Sequence, residues 1–181
     1  MKHRILAACV AAAFALPATA LATDGYFSHG YGMKAKGRGG ASVAMIGDAF
    51  GGANNPATMA YAGDRVEIGV DLFSPRRKAE RTDGVPIGLT DSVDSDSNYF
   101  VIPELAFNKM IRPDLSLGVT VYGNGGLNTD YPGDRLPAAG ACAGFNARPG
   151  PYNLLCGNGR LGVDLSQLII APTLAWRFNP N

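Results

Sequence analysis

Side chains able to do bond chemistry are scarce in this chain. Two histidines occur among its 181 residues, and His3 lies in a basic leader, so only His29 remains for proton transfer. No Ser/His/Asp or Cys/His set can be built around it, and in its glycine-rich stretch it reads as a packing or hydrogen-bonding residue. Asp91, Asp94 and Asp96 are grouped but lack the central glycine and terminal glutamate of a calcium loop. Gly37-Arg38-Gly39-Gly40 has the glycines of a phosphate cradle, yet no strand precedes it and no Lys-Ser/Thr follows, so a tight backbone bend is expected. These residues predict no catalytic residue, no metal and no cofactor. Cys142 and Cys156 share one glycine- and proline-rich stretch. In an exported chain they can close a loop of about 15 residues as a disulfide worth about 3 kcal/mol in the chain-entropy account; the alternative is two free thiols.

Export is read from the N-terminus. Lys2, His3 and Arg4 form a basic region, Ile5 to Leu16 an apolar core, and Ala20-Leu21-Ala22 a small-residue cleavage site, so residues 1–22 are expected to be a signal peptide that takes Cys9 with it. The 24 glycines and 12 prolines favour strands and turns over a compact helical fold. A net charge of +1 gives no electrostatic case for a nucleic-acid partner. Mean hydropathy is close to zero, at +0.02, and no run of about 18 apolar residues follows the leader, so no membrane helix is expected. A transmembrane β-barrel and a soluble β-sandwich both have this profile.

Thr23 to Gly63 has too few large apolar residues for a core of its own and too little charge for a solvated tail, which predicts a plug packed inside something larger. Within it, Asn55 can cap a short helix that starts at Pro56 in Asn54-Asn55-Pro56-Ala57. Residues 64–181 then alternate apolar and polar with period two over Arg65–Ser74, Tyr99–Ile111, Leu115–Tyr122 and Gln167–Phe178. Between them come long loops at 75–98 and 124–165 and a tight turn at Arg112-Pro113-Asp114, with the third strand expected to break at Gly123, Asn124, Gly125 and Gly126.

The alternation of long and short connections matches outer-membrane barrels, with long extracellular loops and short periplasmic turns. Glu67, Asp71 and Glu104 fall on the face away from the apolar stripe, where a charge avoids lipid. The same face carries Phe73, Phe100, Ile102 and Tyr122, greasier than a pore for hydrated solutes needs; with Phe27 of the plug they are candidate ligand-path residues. Four strands cannot close a barrel, whose smallest bacterial form has about eight, so the N-terminal part of a longer barrel is expected, other chains completing the barrel being the alternative. Pro103 and Pro172 each remove a ladder donor inside a strand, marking either a gap or a plain bulge.

Together, Asp48-Ala49, Asn54-Asn55-Pro56-Ala57, Leu72-Phe73-Ser74-Pro75, Tyr122-Gly123-Asn124-Gly125-Gly126-Leu127 and Leu161-Gly162-Val163-Asp164-Leu165 resemble the N-terminal part of the FadL-type outer-membrane transporters of long-chain fatty acids and other hydrophobic compounds. The resemblance implies an all-β, fourteen-stranded barrel closed by an N-terminal hatch matching residues 23–63 and seated through Asn54 to Ala57. It also implies ligand exit sideways into the bilayer at a kink of strand three, residues Gly123 to Gly126. Expected partners are outer-membrane lipid and lipopolysaccharide and a hydrophobic small-molecule ligand; no protein partner is identifiable. The alternative is a porin or adhesin-like barrel without hydrophobic transport.

Overall fold

Alternation of side chains across the backbone sets the architecture. The computed structural model describes residues 27–82, 90–138 and 141–178, so the expected signal peptide and residues 23–26 of the expected plug lie outside it. Six strands follow in chain order: β1 (Arg65–Phe73), β2 (Lys78–Thr82), β3 (Thr90–Asp94), β4 (Phe100–Arg112), β5 (Leu115–Tyr131) and β6 (Leu161–Trp176). The main sheet is antiparallel in the order β1-β4-β5-β6, while β2 and β3 form a separate hairpin. No helix among the described residues is long and apolar enough to cross a membrane, which says nothing about strands.

Two expectations about the connections are corrected. The stretch 75–98 is not all loop, because β2 and β3 pair within it. Their register sets Lys78 opposite Asp94 and Arg81 opposite Asp91, an arrangement of opposite charges that favours the pairing and carries no apolar stripe to betray it. Nor does strand three break at Gly123 to Gly126. β5 continues to Tyr131 against a β6 that starts at Leu161, with one register shift between Gly123 and Gly125. A bulge there absorbs an extra residue while the backbone ladder goes on, so the loop expected at 124–165 shrinks to residues 132–160. Pro172 lies opposite Val119 in unbroken register, with no bulge at it.

Residues 27–63 lie against one face of the main sheet. They contain three short helical turns, α1 (Met33–Gly37), α2 (Gly51–Asn54) and α3 (Met59–Ala62), with a 3-10 turn at Pro56–Thr58. Asn55 caps the 3-10 turn, its side-chain oxygen accepting from Ala57 N at 3.1 Å. Gly39 and Gly40 have φ of 63° and 89° and turn the chain sharply after α1, a conformation that suits glycine. The opposite face of the sheet is uncovered: Val66, Ile68, Val70 and Leu72 of β1, Val101 and Phe107 of β4, Leu117 of β5, and Leu168, Ile170, Leu174 and Trp176 of β6 are all exposed, Ile68 by 82%.

The remaining connection, residues 132–160, has its own small core of Leu136, Cys142, Tyr152 and Cys156. Cys142 and Cys156 are joined by a disulfide, with S–S 2.07 Å. Arg81 of β2 donates to Leu154 O at 2.7 Å and Arg135 pairs with Asp91 at 3.4 Å, so the hairpin and the disulfide loop are tied together at one end of the sheet.

Candidate functional site

The covered face is where polar and ionisable side chains converge. Period two places Glu67 and Asp71 of β1 beside Glu104 of β4, since Gly69, between the two β1 acids, is the register partner of Glu104. The N-terminal segment supplies their partners. Lys36 Nζ lies 2.6 Å from Glu104 Oε1 and 2.9 Å from Asp71 Oδ2, Gly32 N donates to Glu104 Oε2 at 3.2 Å, and Ala49 N donates to Glu67 Oε2 at 2.7 Å. Lys34 and Arg65 approach Glu67 at 3.5 and 3.9 Å. Burial opposes the charge on Lys36, but hydrogen bonds to Glu104 and then Asp71 outweigh it and hold its pKa above the usual lysine value. The Glu104 side chain is only 1% exposed, so without Lys36 its charge would be buried with the Gly32 amide alone.

The second half of the segment meets a different wall. Asn108 Nδ2 donates to Met59 O and Gly63 O, both at 2.9 Å, holding α3 on β4. Yet Asn108 Oδ1, Ser116 Oγ and Thr120 Oγ1 are buried with no hydrogen-bond partner among the described residues, and each such group costs about 1–3 kcal/mol of desolvation. The approach is close. A Cβ on Gly52 would sit 2.4 Å from Thr120 Oγ1, and one on Gly118 would sit 2.4 Å from Met59 Cε. One half of the segment is therefore held by charge, and the other rests by shape on a polar wall that it satisfies incompletely.

Between β4 and β5 the sheet parts. Their ladder stops at Leu105 opposite Val121, although β4 goes on pairing with β1 up to Phe100 and β5 goes on pairing with β6 up to Tyr131. Further along, Asp96 N donates to Asp130 O at 2.8 Å and Asp130 N to Ser95 Oγ at 3.0 Å. β5 thus meets β4 at one end of an unladdered window and the connection between β3 and β4 at the other. A groove of about 530 Å³ opens at its far end, between Phe100 with its neighbours Asp96 and Ser97 and the strands at Asn128–Asp130 and Gly162–Asp164. Tyr31 of the segment packs against the β5 side of the window. Its ring centroid lies 4.1 Å from that of Tyr122, its hydroxyl donates to Asn124 Oδ1 at 2.7 Å, and the residue is 6% exposed. Asn54 grips the Tyr31 backbone on both sides, accepting from its N at 2.9 Å and donating to its O at 2.8 Å. Burial raises the Tyr31 pKa, Tyr122 adds to the rise, and the Ser28 backbone opposes it.

The expected site residues divide accordingly. Ile102, Tyr122, Gly123 and Asn124 are gathered at the window, where a Cβ on Gly123 would meet Ile102 Cγ2 at 2.5 Å. Gly125 pairs with Gln167 and Gly126 with Ser166 in the resumed ladder. The Phe73 and Phe100 rings lie 6.4 Å apart, tilted, at the end of the β1–β4 pair, whereas Phe27 is exposed. Pro103, opposite Val70, lies in the stretch of β4 that lacks a β5 partner. Asn54 and Asn55 have separate tasks, the first holding Tyr31 and the second capping Pro56 to Thr58 and donating to Val43 O at 2.7 Å. Sequence reasoning did not single out Tyr31, which carries no local signal. Lys36 could have been found from charge complementarity, because the turn at Met33–Gly37 carries Lys34 and Lys36 and the face it covers carries a row of three acids. No group of three or more metal-ligating side chains occurs among the described residues. Comparison with protein-family models, curated proteins and solved structures finds no match for this chain.

Proposed function

We propose that this chain contributes the first strands and the hatch of an outer-membrane β-barrel that passes long-chain fatty acids or other hydrophobic compounds passively and releases them sideways into the bilayer. The observation that carries the reading is the two-sided sheet. One face exposes an apolar stripe from Val66 to Trp176, with the Lys109–Asp64 pair near one end of it, while the other buries Glu104 and Asn108 and half-buries Glu67 and Asp71 beneath residues 27–63. Exposed apolar surface on this scale marks a lipid or partner contact, and lipid tolerates it while rejecting charge on the same face. Four strands do not close a barrel, so the reading places its other strands outside the described residues. Residues 27–63 act as the hatch, and the window between β4 and β5 is the sideways exit. Release needs no energy source, since each CH₂ buried in the membrane gains about 0.8 kcal/mol.

The polar row Asn108, Ser116, Thr120 and Thr173 favours one other reading, a water-filled porin. Uptake of radiolabelled hexadecanoate and of radiolabelled toluene by cells carrying the full-length protein separates the two, with single-channel conductance in planar bilayers as the second measurement. Uptake of either probe with little conductance supports hydrophobic transport. Steady conductance without uptake establishes the porin and overturns the transport reading.

A further inference from the structure

Among the described residues, the hydrogen bond between Tyr31 and Asn124 is the one hydrogen bond between the N-terminal segment and β5, and its position gives it a task. We infer that Tyr31 is the gate of the window between β4 and β5: its ring stops the inner mouth against Tyr122, and its hydroxyl, through Asn124, fastens the bulge of β5. This rests on the sideways-exit reading above and names the residue that controls that exit.

Three features converge on Tyr31. The first is location. The β4–β5 ladder ends at Val121 and the register shift falls between Gly123 and Gly125, so Tyr122 and Asn124, the two β5 residues that the Tyr31 side chain meets, flank the point where β5 leaves β4. The second is that the gate is held from behind. Asn54 fixes the Tyr31 backbone with two hydrogen bonds, and Gly32, the next residue, donates to the buried Glu104. The third is chemistry. A tyrosine presents an apolar ring to an apolar ligand and a single hydroxyl to the strand, so a hydrocarbon body can replace the Tyr31–Tyr122 ring contact at no loss of apolar burial. With the backbone still held by Asn54, moving the ring aside then breaks the Tyr31–Asn124 bond, which ties the Tyr31 hydroxyl to β5. Neither anchoring contact of the segment, the Lys36 ion cluster or the Asn108 bonds to α3, involves Tyr31 or Asn124, so the gate can open with the rest of the segment in place.

The test uses the full-length protein with Tyr31→Phe, Asn124→Ala and the double variant. Tyr31→Phe keeps the ring and the fold and removes only the hydroxyl. Each single variant is expected to raise probe uptake about 2- to 10-fold, the population shift that one net hydrogen bond commands. The double variant is expected to equal the singles, because both remove the same bond. Conductance is expected to stay at the wild-type level, which a general loosening of the segment would not allow. Unchanged uptake in both singles, additive effects in the double, or conductance rising in step with uptake would each overturn the gate. Absence of uptake by the wild type is a separate result, which overturns the transport reading and the gate with it.

Discussion

Replacing Lys36 with methionine tests how the segment is held. The substitution keeps the stem and deletes the charge that lies 2.6 Å from Glu104 Oε1 and 2.9 Å from Asp71 Oδ2. Removing one partner of a buried pair costs about 3–5 kcal/mol, because the other charge is left uncompensated. Asp71 and Lys36 retain 32% and 19% exposure, so their share is screened and the lower end, about 3 kcal/mol, applies. That is about a 150-fold rise in the population in which the segment has let go. Hydrogen exchange followed by mass spectrometry reads this population directly through the amides of Lys36 and Gly40, which are bonded to Gly32 O and Ala35 O at 3.1 and 2.9 Å. Exchange in peptides spanning 30–45 should accelerate about 100-fold in Lys36→Met. Adding Glu104→Gln should recover most of the protection, since the amide can still accept from Gly32 N and no longer carries a charge. Exchange within about threefold of wild type in the single variant, or no recovery in the double, would refute the claim that an uncompensated Glu104 charge dominates the cost.

Gly40→Ala should loosen the same segment by at least about 1–3 kcal/mol: a Cβ there would fall 1.8 Å from His29 O at a φ of 89°. Thermal exchange profiles of the variant check it, and wild-type protection would contradict the bend geometry. Trp176, the sole tryptophan, donates its Nε1–H to Asp114 Oδ2 at 2.8 Å. This bond, with Arg112 adding a smaller share, holds the Asp114 pKa below its ordinary value of 3.8. A depressed folded pKa means that the contact contributes above the unfolded value and is lost as pH falls through the folded one. Trp176 fluorescence should therefore hold steady down to about pH 4 and shift below it, and Asp114→Asn should abolish the shift; a transition complete above pH 4 would refute the assignment. Replacing Cys142 and Cys156 with serine removes a closure across a sequence separation of 14, worth about 3 kcal/mol. Proteolysis within residues 132–160 should accelerate sharply while exchange in β5 and β6 below the bulge is unchanged.

Much of the sheet was legible because alternation is a local property. Val66, Ile68, Val70 and Leu72 against Glu67, Gly69 and Asp71 specify both that β1 is a strand and that its faces differ, and the turn at Pro113 fixes its neighbours' order without reference to anything distant. The Asn55-Pro56 helix start was legible for the same reason. The hairpin β2–β3 was not, since its register, with Lys78 opposite Asp94 and Arg81 opposite Asp91, runs through residues that show no apolar period. Nor was the continuation of β5 past Gly123, because a backbone ladder needs no side-chain signal and a bulge shifts the parity that a reader of the sequence would follow.

The sequence by itself determined the alternating stretches of the four main-sheet strands, their two faces and the acids reserved for one of them. Only the tertiary structure decided where β4 and β5 part, that Lys36 is the cation that Glu104 receives, and that Tyr31 meets Tyr122 and Asn124. The physical reason is range. Period and turn chemistry act between neighbours a few residues apart, whereas Lys36 meets Glu104 across 68 positions and Tyr31 meets Asn124 across 93, and such meetings are fixed only when the whole chain has closed around them.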